Sequence, residues 1–255
     1  MATYKKRGYK PKTKAEKEVQ LEDGSTTAEV FKSLDEGASK TEAWVEKNQK
    51  AILGVVGIVA IAVLGYILYQ KFYQEPQNIE ASNEMYQSQS YYEQALNSTT
   101  EKDSLFNLAL NGGAGKYGFI DIADKYSGTA AGNMANFYAG MAYLNLKDYQ
   151  SAINHLDSYD GGDEMSGPIA KGGIGDAFIQ LNQPEEALKY YVEAANMRNN
   201  AVTTPRFLLK AGVTALTLNR SEEALGYFNR IVEEYKDAPE AANAKVYKGQ
   251  AEAMQ

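Results

Sequence analysis

Between Lys50 and Lys71 the alternation of apolar and polar residues stops. Ala51 to Tyr69 reads AILGVVGIVAIAVLGYILY, without a charged or strongly polar side chain. With Gln70 it supplies the ~20 residues that a helix needs to cross a bilayer. Upstream, from Thr27 to Asn48, Val30, Phe31, Leu34, Ala38, Trp44 and Val45 fall on one stripe at helical spacing. This predicts an amphipathic helix lying at the membrane interface or against a partner, and Trp44 beside the span favours the interface. Downstream the pattern becomes periodic. Gly140, Gly175, Gly212 and Gly249 step by 35, 37 and 37 residues, and Ala152, Ala187 and Ala224 each follow their glycine by twelve. A period of this size predicts stacked helical hairpins, an all-α architecture.

Small residues have a physical place in such a stack. Two antiparallel helices that cross closely leave no room for a large side chain at the crossing, so Gly140, Ala152, Gly175, Ala187, Gly212 and Ala224 are the expected repeat core. The fullest unit is Gly175-x-x-Phe178 followed by Ala187-x-x-x-Tyr191-x-x-Ala194. It resembles the tetratricopeptide repeat, whose usual length is ~34 residues. The resemblance implies a tetratricopeptide-like helical-hairpin solenoid with repeats near 134–165, 169–200 and 206–237. Turns are expected at Asn145–Asp148, Asn182–Pro184 and Asn219–Ser221, with Pro184 at a first helical position and Asp148 or Ser221 as caps. Phe119–Tyr126 matches Phe228–Tyr235 position for position, so the array starts before Gly140. Residues 241–255 supply a first helix without a second, read as a cap on the open end. Ile79–Asn97 and Ser104–Leu110 read as helices that fit the repeat poorly. The cluster Gly112, Gly113, Gly115 and Gly118 predicts a loop.

Charge then sets a direction. The first seventeen residues hold Lys5, Lys6, Arg7, Lys10, Lys12, Lys14 and Lys17 against Glu16 alone, and Lys47 and Lys50 flank the span. After Lys71 the next basic residue is Lys102. Positive charge stays on the cytoplasmic side. The expected layout is a cytoplasmic tail over 1–50, a transmembrane helix over 51–70 and an external repeat domain over 71–255. In a bacterium with two membranes this means a single pass through the inner membrane and a periplasmic domain. Tyr66 and Tyr69 suit an aromatic anchor, and the segment lies too late and runs too long for a cleaved signal peptide. Gly54, Gly57 and Gly65 lie within about 80° of one another on a helix and offer a smooth face to another membrane helix.

From Phe72 onward the chain has 14 basic and 24 acidic residues, a net charge of −10. That excludes a nucleic-acid-binding role for this part and adhesion to an anionic bilayer surface. The basic tail, with Tyr4 and Tyr9, is read as attracted to anionic lipid in preference to RNA. The chain contains no cysteine, and so has neither disulfide nor thiol chemistry.

Motifs for catalysis are lacking. His155, the chain's one histidine, falls on a second repeat helix next to core Leu156 and reads as structural. Asp157, Asp160, Asp163 and Glu164 surround Gly161-Gly162 without the ligand spacing of a calcium loop, and read as an acidic turn. Gly172-Gly173-x-Gly175 lies within a helix and packs rather than cradles phosphate. Neither metal nor cofactor is expected, and the chain does not read as an enzyme.

The tetratricopeptide resemblance implies a concave face built from the first helix of each hairpin. It places there Phe137, Met141 and Asn145, then Asp176 and Ile179, then Arg206, Leu209, Val213 and Leu216. These are mostly apolar, unlike the lysines, asparagines and arginines by which clamp-type members hold an acidic peptide end. The resemblance therefore implies an apolar groove for a helix or an extended chain, unless Ile79–Asn97 covers it. The layout of tail, span and acidic repeat domain, with Phe106–Gly112 and Gly118–Tyr126, resembles YfgM-type proteins of Bacteroidota. That resemblance implies an ancillary subunit of the SecYEG translocon that links exported chains to a periplasmic chaperone such as PpiD. The alternatives are a scaffold for another envelope or secretion complex, and a non-catalytic subunit of an enzyme in another chain.

Overall fold

The computed structural model describes residues 26–255, with side chains from Thr41 onward. The basic tail at residues 1–17 lies outside the described residues, as do the side chains of Val30, Phe31, Leu34 and Ala38. The chain divides into two compact units, one ending at Tyr69 and the other running from Gln70 to Gln255.

In the first unit, helix α1 spans Thr26–Tyr69 without a break. The backbone makes no turn between the stripe and the apolar run. Trp44 and the apolar side chains from Leu53 to Tyr69 are largely exposed within the unit. A helix hydrophobic all round and not buried by its own protein suits a lipid environment. It is long and apolar enough to cross a membrane, consistent with a single-pass anchor.

The second unit is a helical-hairpin solenoid. After a π-helical turn at Gln70–Gln74 come α2 (Glu75–Asn97), α3 (Lys102–Asn111), α4 (Phe119–Lys125), α5 (Ala130–Leu146), α6 (Tyr149–Asp157), α7 (Ser166–Gln180), α8 (Pro184–Met197), α9 (Thr203–Thr217), α10 (Ser221–Glu234) and α11 (Glu240–Ala253). Successive helices pack on one another from α5 to α11. At three crossings a glycine admits a large side chain sixteen residues later. An ideal Cβ on Gly140 would lie 2.5 Å from Leu156 Cγ, on Gly175 2.6 Å from Tyr191 Cε1, and on Gly212 2.4 Å from Phe228 Cε1. Ala152, Ala187 and Ala224 are fully buried beside them.

The turns repeat in the same register. Lys147, Asn182 and Asn219 adopt left-handed φ values of 64°, 57° and 57°. After each, a backbone N–H reaches five residues back: Asp148 to Tyr143 O (3.0 Å), Gln183 to Phe178 O (2.9 Å) and Arg220 to Ala215 O (2.9 Å). This is the hydrogen-bonded ending that satisfies otherwise orphaned helix carbonyls. Asp148 then caps α6 by accepting the Ser151 N–H at 3.2 Å. Ser221 is not a cap: it is the first residue of α10, and Arg220 holds the cap position without a side-chain bond.

The match between Phe119–Tyr126 and Phe228–Tyr235 extends to their partners. Phe119 stacks on Tyr138 with ring centroids 5.2 Å apart, and Phe228 stacks on Tyr247 at 5.8 Å. Residues 138 and 247 stand at the same separation as 119 and 228, so α4–α5 and α10–α11 are two copies of one joint. Upstream, α2 and α3 pair and pack with α4 and α5 around Tyr92, Phe106 and Phe119. Loop 112–118 is pinned there by buried Ser88, whose Oγ donates to Tyr117 O at 2.7 Å.

Gly249 departs from its series, since a Cβ there would meet nothing within 4 Å. Lys245, Lys248 and Glu252 occupy the positions that Leu208, Ala211 and Ala215 hold one period earlier, where all three are buried. These polar side chains are exposed or half-exposed where their counterparts are buried.

Candidate partner-binding groove

The first helices α5, α7 and α9 pack side by side, with α11 beyond them. Their shared register generates columns: Met141, Asp176 and Val213; Phe137, Gly172 and Leu209; Asn145, Gln180 and Thr217. An open depression of about 550 Å3 lies among them, bordered by Asn145, Lys147, Tyr149, Ile179 and Gln180 together with Asp176, Tyr191 and Lys210.

Its chemistry centres on Asp176. Tyr191 Oη donates to Asp176 Oδ1 at 2.6 Å, and Lys210 Nζ donates to both carboxylate oxygens at 2.5 and 2.7 Å. The Tyr191 ring is itself seated against Gly175, so the hydroxyl is aimed by the repeat core. Burial, then the charge and hydrogen bond of Asp176, hold the Tyr191 phenol above its ordinary pKa, and it remains a donor. Asp176 and Lys210 are both partly open to solvent. At the rim, Tyr149 Oη donates to Gln180 Oε1 at 3.3 Å and Asn145 Nδ2 donates to Met141 O at 2.9 Å.

The residues expected on this face fare differently. Phe137 is half-buried between Tyr138 and Tyr159, with ring centroids at 5.7 and 5.2 Å. Met141 is likewise half-buried, packed on the clusters of both neighbouring repeats. Leu209 and Val213 are half-buried against the C-terminal core, and Leu216 lies within it. Ile179 and Arg206 are exposed, the Arg206 guanidinium lying 5.8 Å from the Phe207 ring. Helix α2 packs on α3, α4 and α5, and Tyr92 meets Tyr138 at 5.2 Å. The upstream helices thus cover part of α5. Lys210 and Tyr191 were absent from the sequence-based site. Their signal was the spacing of Asp176 and Lys210, opposite charges 34 residues apart and so on neighbouring repeats.

Other sequence-marked groups have structural partners. His155 Nδ1 lies 2.9 Å from Asn136 Oδ1 and its ring stacks on Tyr143 at 5.5 Å; burial lowers its pKa. In the acidic turn, Asp163 Oδ1 accepts the N–H groups of Met165 and Ser166 at 2.7 and 2.6 Å, and the Ser166 hydroxyl bonds its second oxygen. These bonds hold the Asp163 carboxyl below its usual range. Asp157 pairs with Lys171 at 3.1 Å. Among the described residues no cluster of metal-ligating side chains is present. Ideal Cβ atoms on Gly54, Gly57 and Gly65 meet nothing within 4 Å.

Residues 42–199 match the family described as tetratricopeptide repeat-like domain, and residues 173–239 and 209–255 match the family described as tetratricopeptide repeat. The longer match begins before the apolar run and includes it. No curated protein matches the chain.

Proposed function

The chain belongs to the tetratricopeptide repeat-like family, and from that premise we propose that it is a membrane-anchored protein-binding module serving the SecYEG translocon. Its anchor holds the repeat domain at the outer, periplasmic face of the inner membrane. There the domain links emerging exported chains to a periplasmic chaperone of the PpiD kind. The observation that carries this reading is the joining of an uncharged, exposed apolar run, Ala51 to Tyr69, to a hairpin stack with an open groove on its first helices. Tetratricopeptide repeats bring proteins together, and a span beside such a stack restricts the meeting to the membrane surface. The asymmetry of lysine and arginine about the span supports the outward orientation. Glycines 54, 57 and 65 offer a face on which a translocon helix packs.

Photocrosslinkers placed at Ile179, Val213 and Gly57 in native membranes test it. The first two are expected to capture exported chains or a periplasmic chaperone, and the third a translocon helix. Capture of unrelated envelope proteins at all three would replace the translocon reading with that of a scaffold for another envelope complex.

A further inference from the structure

The depression runs along the first and second hairpins and reaches Lys210 of the third, and it contains a charged pair where its columns are otherwise uncharged. Asp176 stands in register with Met141 and Val213, and Lys210 with Tyr138, Gly173 and Tyr247. Each charge interrupts its own column, and the two meet across the boundary between repeats. Lys210 is the cation that a partner carboxylate entering between α7 and α9 would seek. Both oxygens of Asp176 already hold it, and Tyr191 donates to Oδ1 as well. An incoming carboxylate would meet Asp176 as a like charge, and like charges brought together oppose binding. Lys147, exposed at the rim, is the remaining cation bordering the space.

Apart from Lys147 at the rim, what the walls leave on offer is neutral. Gln180 keeps its amide N–H groups while its oxygen accepts from Tyr149; Asn145 keeps its amide oxygen while its nitrogen donates to Met141. Ile179 adds an exposed apolar side chain. An extended chain carries unpaired backbone N–H and C=O groups that such amides can meet. We propose that Asp176 sets the specificity of this groove by occupying Lys210, so that the depression accepts an uncharged internal stretch of extended polypeptide and turns away acidic chain ends. This rests on the groove reading above and names the class of segment it takes.

The test uses the full chain in nanodiscs of zwitterionic lipid. Labelled short peptides of Val, Ala, Ser and Thr are made as the carboxamide, as the free acid and with two terminal aspartates, and binding is read by fluorescence anisotropy. In the unaltered protein the carboxamide binds more tightly than either acid. Asp176→Asn frees Lys210 and raises affinity for the aspartate-ended peptide by about tenfold or more, with the carboxamide little changed. Asp176→Asn with Lys210→Gln abolishes that gain. If Asp176→Asn loses helical circular dichroism, Lys210→Gln decides, because it leaves Asp176 unopposed and must weaken the acidic peptide further. Preference of the unaltered protein for the acidic peptide overturns the inference, as does a folded Asp176→Asn variant without gain or tighter acidic binding by Lys210→Gln. The groove reading is judged separately with Ile179→Glu. Carboxamide binding lost in that variant keeps the groove whatever Asp176 does, whereas carboxamide binding that is absent, or that Ile179→Glu leaves intact, removes the groove and this inference with it.

Discussion

Gly175 lies under the ring of Tyr191, so close that a Cβ on the glycine would stand 2.6 Å from Tyr191 Cε1. The ring is 3% exposed and its hydroxyl reaches Asp176, so this one contact joins the hairpin's crossing to the groove. Gly175→Leu therefore displaces both the crossing and the donor. Overpacking of this kind costs about 1–3 kcal/mol. Thermal unfolding of the detergent-solubilised protein, followed by circular dichroism, is expected at a lower temperature. An unchanged midpoint would mean that the ring moves aside freely.

Gly249 occupies the same register at the end of the series but faces open space. Gly249→Ala is expected to stabilise the protein by about 0.5 kcal/mol, because alanine restricts the unfolded chain and favours helix without meeting a neighbour. The same substitution at Gly212, where a Cβ would come 2.4 Å from Phe228, is expected to destabilise. Opposite signs at two positions of one sequence pattern would separate packing from propensity. Equal signs would contradict the difference in their surroundings.

Lys147 adopts φ 64° at the turn where the next two repeats use Asn182 and Asn219. Asparagine tolerates this left-handed conformation, whereas lysine is strained by its Cβ. Lys147→Gly is expected to raise stability by about 1 kcal/mol, measured by urea unfolding. A loss would mean that the lysine side chain makes a contact worth more than the strain.

Burial lowers the His155 pKa beneath its usual 6.5. The folded state thus binds this proton less readily than the unfolded chain does. Stability from the neutral ring is complete above the unfolded value and is lost as pH falls through the lowered folded value. His155→Gln, which retains an amide donor toward Asn136, is expected to flatten the fall of Tm as pH drops below the ordinary histidine value of 6.5. Carboxylates contribute equally to both proteins, so the difference between the two curves reports the histidine. Parallel curves would show that the ring titrates normally.

Local spacing made the hairpins legible, because a helix crossing demands small residues at a fixed distance from the side chains they admit. Gly140, Gly175 and Gly212 carry that demand in the sequence itself. The joint at Phe119 and Tyr138 was readable for the same reason, being repeated at Phe228 and Tyr247. The groove was less legible because exposure is a property of neighbouring columns rather than of one helix. Phe137 lies at a groove position by register, and Tyr159, from the turn after α6, packs against it and leaves it half-buried. Asp176 looked like a lone polar residue until Lys210, one repeat away, was brought against it. The upstream helices were the hardest to place: α2 and α3 pack around Tyr92 and Phe106 by long-range aromatic contacts that leave no period in the chain.

The apolar run itself offers the remaining prediction. Val55, Ile58, Ile61 and Leu64 point from α1 with more than half of their surfaces exposed among the described residues. A soluble helix in this state would aggregate, whereas a bilayer supplies the missing contacts. Ile61→Arg puts a charge near the middle of the run, at a cost of about 2.5–3.5 kcal/mol for membrane insertion. Membrane fractionation is expected to show a smaller integrated share, with the remainder extracted by carbonate. Ile61→Leu, which keeps the run apolar, should fractionate like the unaltered protein. Orientation follows from the flanking charge, so a protease confined outside the inner membrane is expected to digest residues beyond Lys71 and to leave Lys47 and Lys50 protected. Replacing the lysines and arginine of the first seventeen residues, together with Lys47 and Lys50, by glutamine should weaken that bias and give a mixed population. Complete protection of the hairpin domain in the unaltered protein would reverse the orientation, and with it any role outside the membrane.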